Sequence, residues 1–336
     1  LNRKKLFSIA KVLLFLGLGI LLLWLLYRQF GEKEKQQFVE ALQKADYLWA
    51  ILAIVINTIA HWSRAVRWRM LMQPLGHNPK VSNTFFAVMI GYMANYAVPR
   101  LGEITRCTLL NRYEKVPFAE SFGTVIVERI FDFFSLLLVF IGTIVFQFAE
   151  LKKAISEYIT EPAARKFGPL MQNTTFVVVA GIIFIGGIVS WWMLRKRIYK
   201  MLGPKFANII KGFTDGIKAV RRIEKPWLFA FHSIFIWACY WLALYVVFFS
   251  FGGTSHLGLN AALVLLLFGT FGVIFTPGGI GAYQALVMGI LLSVYGISKD
   301  IGFAFAWVTW GSQLGCVLIF GVLSLILLPA LNRAKI

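Results

Sequence analysis

The sequence predicts an all-α polytopic membrane protein: about eight transmembrane helices plus two short broken or re-entrant half-helices. Three observations carry this. Of 336 residues, 59% are hydrophobic and 15% charged, with a mean hydropathy of +0.73, which is more apolar surface than a soluble core of this size buries. The apolar residues fall in blocks near the roughly 20 residues that a helix needs to cross about 30 Å of hydrocarbon, and runs of that length exclude a transmembrane β-barrel. The 34 Lys and Arg lie between these blocks. A formal charge of +19 placed there is the pattern of cytoplasmic loops facing anionic lipid, not of a nucleic-acid partner.

Along the chain, crossings are expected at Ile9–Tyr27, Tyr47–Trp62, Val81–Val98, Phe122–Phe148, Thr175–Leu194, Trp227–Phe251, Asn260–Phe275 and Ile301–Leu331. Leu1–Tyr27 begins like a signal peptide with Arg3-Lys4-Lys5. No small-residue cleavage site follows, so it is expected to be a retained first helix. Leu101–Asn111 and Ala282–Tyr295 are too short to cross alone, and each follows a proline/glycine break. The segment Arg195–Lys225 holds ten Lys/Arg against Asp215 and Glu224, which places it on the cytoplasmic side with the N-terminus and the Arg64–Lys80 stretch, in the cytoplasmic (inner) membrane of a bacterium. Keeping these basic segments on one side requires the segment after Pro99 to complete a crossing. Trp49–Pro99 and Trp227–Pro277 share the form of a helix pair ending in a break. The chain then reads as one membrane domain, 1–336, with halves 47–148 and 227–331 joined by 149–226 and related as an inverted repeat.

Charges inside the membrane mark candidate function, because an unpaired one costs roughly 3 kcal/mol or more at the bilayer centre. At the first break, from Asn95 through Pro99, Arg100, Leu101, Gly102 and Glu103 to Arg106, the proline ends one helix and frees carbonyl groups. A half-helix starting near Gly102 directs amide groups and a positive dipole end at an anion, and Arg100 and Arg106 add charges that fit phosphate. Glu103 stands three residues from both arginines, placed to hold one or to exchange with phosphate. The alternative is a cytoplasmic hairpin with ordinary surface ion pairs. It stands level with the functional reading for Arg106 and Arg112, and behind it for Arg100 and Glu103.

Downstream, Glu128 and Asp132 share a helix face with Arg129 offset by about 100°. Two carboxylates on one face call for a cation from Arg100, Arg106, Arg64 or Arg67. A salt-bridge staple between helices, direct substrate contact and a proton relay are the three readings. Arg64 and Arg67 share a face at the expected end of the second helix, where snorkelling to headgroups is the default. The second break, Pro277, Gly278, Gly279, Gly281 and Gln284, carries no charge; its glycines allow close approach of backbone or ligand. Cys107, Cys239 and Cys316 form no CxxC or Cys/His cluster, so neither metal, cofactor nor disulfide framework is expected. No catalytic constellation accompanies the carboxylates, which argues against an enzyme.

Taken together, Arg67-Trp68 with Leu71, Pro99-Arg100-Leu101-Gly102-Glu103 with Arg106, Glu128-Arg129 with Asp132, and Pro277-Gly278-Gly279-Ile280-Gly281 resemble the transmembrane domain family of lysylphosphatidylglycerol synthases, flippase-like membrane proteins. The resemblance spans nearly the whole chain. It implies binding of a membrane phospholipid or polyprenyl-phosphate lipid and its movement between leaflets. Gln284 stands where the family commonly has glutamate. With the last apolar segment ending at Leu331, aminoacyl transfer is not expected to carry over. The expected function is lipid translocation, with an intramembrane headgroup-modifying enzyme or a non-transporting lipid-binding partner as alternatives; homo-oligomerisation is left open.

Overall fold

The computed structural model describes residues 20–98, 100–148 and 223–332, with isolated positions 17, 152, 156, 161 and 165. Pro99, the start of the first expected helix, the crossing expected at Thr175–Leu194 and all but the last three residues of Arg195–Lys225 lie outside the described residues. Among the described residues the chain is helical and contains no strand. Helix α1 (20–28) leads over Gly31 into the charged α2 (Glu32–Lys44), where the Glu34 carboxylate accepts from the Gly31 amide at 2.9 Å. Asp46 caps α3 (Tyr47–Met72) by accepting from Leu48 N at 3.0 Å. This helix runs on past Trp62, where its apolar sequence ends, because carboxylates from a neighbouring helix meet the arginines of its last turns.

Next come α4 (Val81–Ala97) and α5 (Leu101–Glu114), of 17 and 14 residues. At 1.5 Å per residue they reach about 26 and 21 Å, short of a bilayer. They lie antiparallel. Asn83 near the start of α4 bonds Glu114 at the end of α5, and Gly91 meets Gly102 backbone to backbone. The chain turns through Arg100, which adopts left-handed geometry at φ 67°. The expected crossing at Val81–Val98 and the completed crossing after Pro99 are therefore corrected: the two segments are legs of one re-entrant hairpin. Two glycines facing each other remove the side chains that would hold the legs apart. Either route returns the chain to its original side, so the loop charges alone do not separate them.

After α6 (Phe118–Phe146) and α7 (Pro226–Val247), the same geometry recurs. Helices α8 (Leu259–Phe275) and α9 (Ala282–Ser293) form a second hairpin, so the crossing expected at Asn260–Phe275 is likewise one leg. Its legs close where Gly269 and Gly272 face Tyr283, and its tip turns through Gly278, Gly279 and Gly281 at φ 65°, 78° and 81°, values that favour glycine.

The long α10 (Lys299–Leu331) orders the two hairpins. Asn83, at the base of the first, exchanges 2.9 Å amide bonds with Asn332 just past the end of α10. The base of the second packs through Gly253 on Ile301 at its start. The tips meet between these ends: Trp310 Nε1 donates to Gly278 O at 2.7 Å, and the Tyr96 ring lies against Gly278. The hairpins thus enter from opposite ends. Helices α3 and α7 are antiparallel, with Trp49 against Phe249 at one end and Ser63 bonded to His232 at 2.8 Å toward the other. Among the described residues two large apolar cores result, one around each hairpin, and α3 and α10 contribute to both.

Among the described residues, four helices are long and apolar enough to cross a membrane: Tyr47–Leu75, Phe118–Phe146, Pro226–Ser250 and Lys299–Leu331. In the most apolar stretch of α6 only 11% is buried within the protein, and Phe133, Leu138, Val145 and Phe146 are exposed. Such a surface is stable only against lipid.

Candidate functional site

Three helices bring the charges together beneath the first hairpin. Helix α3 supplies Arg64 and Arg67, one turn apart on one face; α6 supplies Glu128, Arg129 and Asp132; α5 supplies Glu103 and Arg106. Arg64 Nη1 lies 2.7 Å from Glu128 Oε1 and 2.6 Å from Asp132 Oδ2. Arg67 Nη2 donates to Asp132 Oδ1 at 2.6 Å, and its Nη1 donates to Ser233 at 3.2 Å. Arg106 Nη1 is 2.8 Å from Glu128 Oε2, out of line for a hydrogen bond. Arg129 bridges outward, 2.7 Å from Glu103 Oε1 and 3.6 Å from Asp132 Oδ2. Arg67 and Glu128 are fully buried and Arg64 and Arg106 are 4% exposed. Among the described residues, four arginines against three carboxylates leave one positive charge in excess.

The position of Arg106 depends on neighbours that carry no charge. A Cβ on Gly102 would overlap the Gly91 carbonyl oxygen, so only glycine lets α5 settle this close to α4. Asn95 then caps α5, its Oδ1 accepting from Gly102 N at 2.7 Å. One turn further, the Arg106 guanidinium lies 4.5 Å from the Trp68 ring centre, a favourable cation–π placement. Trp68 is itself fixed by a 2.9 Å bond from its Nε1 to Thr124. Beside these groups runs a narrow cleft, open on one side and walled by Tyr92 and Asn95 of α4, Glu103 and Arg106 of α5 and Arg129 of α6. Among the described residues, Arg106 Nε and Nη2 and Glu103 Oε2 are buried without a hydrogen-bond partner.

The structure therefore gathers Arg64, Arg67, Asn95, Gly102, Glu103, Arg106, Glu128, Arg129 and Asp132, and leaves the other candidates elsewhere. Arg100 is exposed at the hairpin tip, off the cleft wall and without an ion pair among the described residues. Glu103 holds Arg129, not Arg100 or Arg106. The snorkelling expected of Arg64 and Arg67 is corrected too, since both are buried in ion pairs. Gly278, Gly279, Gly281 and Gln284 belong to the second tip, which touches Tyr96 and not the charged cluster. There the Gln284 side chain is wholly buried and caps its half-helix, accepting from Gly281 N at 2.8 Å. Sequence reasoning gave no role to Trp68, Tyr92 or Tyr240, whose hydroxyl lies 3.5 Å from Arg64. Among the described residues no group of three His, Cys, Asp or Glu is placed to hold a metal ion.

Comparison with known proteins finds relatives that are membrane proteins. A UPF0104 membrane protein of Methanothermobacter thermautotrophicus is 23% identical over 312 residues, covering 87% of this chain and 88% of the relative. A UPF0104 membrane protein of Pyrococcus horikoshii is 21% identical over 283 residues, covering 79% and 83%. A shorter match, 26% over 100 residues, is to glycosyltransferase AglD of Haloferax volcanii, and covers 30% of this chain and 16% of that protein. No solved structure matches the chain significantly. The family model described as the lysylphosphatidylglycerol synthase TM region matches residues 8–321, and the chain belongs to that family of integral membrane proteins.

Proposed function

We propose that the cleft binds the phosphate of an anionic phospholipid or other phosphate-linked lipid, polyprenyl phosphates included, and that the protein moves this lipid between leaflets. One observation carries the reading: Arg106 is buried in a cluster with one uncompensated positive charge and keeps Nε and Nη2 unpartnered beside a cleft. Leaving charged donors buried and unbonded costs at least about 1–3 kcal/mol each. A phosphate offers the paired oxygens that a guanidinium fork fits. Every carboxylate in the cluster is engaged by arginine, which suits a carrier better than general acid–base chemistry. The glycosyltransferase relative matches over too little of its length to favour an enzyme.

The hairpins support movement between leaflets. We read 47–148 and 227–331 as halves of an inverted repeat in the cytoplasmic membrane, with the N-terminus and the basic Arg195–Lys225 segment inside. The headgroup passes the contact of Tyr96, Gly278 and Trp310 while acyl chains remain in lipid. Leaflet exchange in vesicles carrying the purified protein tests this. Arg106→Gln should slow exchange about 10- to 100-fold, the worth of one charge-assisted interaction, and Arg106→Lys should rescue it only in part because it keeps the charge but loses the fork. Wild-type protein that exchanges no anionic or polyprenyl-phosphate lipid would refute the proposal.

A further inference from the structure

The cleft wall carries an unmatched acceptor as well as unmatched donors, and from this we infer that Glu103 selects headgroups bearing a hydrogen-bond donor beside the phosphate. The inference rests on the phosphate-binding reading above. Arg129 Nη2 holds Glu103 Oε1 at 2.7 Å, which fixes the carboxylate and leaves Oε2 buried and unbonded. Glu103 and Arg106 stand three residues apart on α5, a spacing at which such side chains pair. Here they do not. Arg106 is drawn to Glu128 and to the Trp68 ring, and Glu103 to Arg129. The wall therefore presents donors from Arg106 and a bare carboxylate oxygen from Glu103 side by side.

A phosphate alone satisfies Arg106 and sets its own oxygens against that carboxylate. A headgroup with an N–H or O–H close to the phosphate satisfies both groups at once: phosphate oxygen on Arg106, donor on Glu103 Oε2. A quaternary ammonium has no hydrogen to give and leaves Oε2 buried and unbonded. The ligand class is thus a phosphate ester carrying a hydroxyl or a protonated amine, with the choline type disfavoured.

The phosphoethanolamine, N-methyl, N,N-dimethyl and choline series keeps phosphate and net charge constant while removing donors one at a time. Binding of these four lipids, with identical acyl chains, to the purified full chain in detergent is the test. The first three should bind alike and the choline lipid about tenfold weaker, the effect of one unmatched buried group. In Glu103→Ala all four should bind alike, with folding checked by thermal unfolding. Choline binding equal to the others in the wild type, or a step that persists in Glu103→Ala, overturns the inference while leaving phosphate binding intact. Failure of all four and of anionic lipids to bind removes the phosphate reading and this one with it. Soluble glycerophosphoethanolamine, added as competitor, separates a lipid from a free phosphate ester: displacement without acyl chains indicates the soluble source.

Discussion

Glu128 is where α3, α5 and α6 meet. Arginines 64 and 106 lie 2.7 and 2.8 Å from its two oxygens, and Arg67 stands 3.6 Å away. The sequence made part of this legible. Glu128 and Asp132 stand four apart in an apolar helix, so they share a face and require cations. It named Arg64, Arg67 and Arg106 among the candidate cations but set the first two at a helix end facing headgroups, because hydropathy falls at Ser63-Arg64 and makes the helix seem to end where it continues. A local window of sequence holds no trace of a carboxylate more than sixty residues away that lets an arginine stay buried. Removing Glu128 leaves Arg64 and Arg67 sharing Asp132 and takes from Arg106 its ion-pair partner. Glu128→Leu should therefore lose roughly 3–5 kcal/mol of stability, read from unfolding in detergent, and a loss under about 1 kcal/mol would mean that the cluster is wetter than its geometry indicates.

The two hairpins differ in what shapes them. Hairpin one is closed by a glycine contact and capped by Asn95; hairpin two is turned by three left-handed glycines and capped by Gln284. The breaks were visible in sequence because proline and clustered glycine interrupt apolar runs. The closure of the first hairpin was not, since Gly91 and Gly102 become a pair only when the legs fold together. Gly102→Ala should cost about 1–3 kcal/mol through overlap with the Gly91 carbonyl, and should weaken lipid binding because Arg106 rides on the same helix. Gly278→Ala meets two penalties: its positive φ, worth about 1 kcal/mol, and the Tyr96 ring 2.9 Å from the added Cβ. Tyr96→Ala should recover the second penalty and not the first, and the double mutant in thermal unfolding separates them.

At the scale of the whole molecule, opposed hairpins replace two of the crossings that composition alone suggested. The positive-inside rule predicts a side for each basic segment; it does not distinguish a hairpin from two full crossings, as both return the chain to the same side. Cysteine labelling with a membrane-impermeant maleimide does. Lys80→Cys and Arg112→Cys, exposed at the base of the first hairpin, should react from one side, and His256→Cys and Ser298→Cys from the other. Val98→Cys at the exposed tip should react slowly from both, whereas a full crossing would bring it to the surface opposite Lys80. The native cysteines Cys107, Cys239 and Cys316 are buried and contribute little background.

The account turns on a phosphate meeting Arg106, and solid-state NMR measures that contact. In lipid bilayers containing the bound lipid and protein labelled with 15N-arginine, dephasing of guanidinium nitrogen by lipid 31P reports distance. The account predicts a nitrogen–phosphorus separation of about 4 Å, as in a hydrogen-bonded guanidinium–phosphate pair, that disappears in Arg106→Gln and survives in Arg100→Gln. Dephasing that is absent from the wild type, or is unchanged by loss of Arg106, would contradict it.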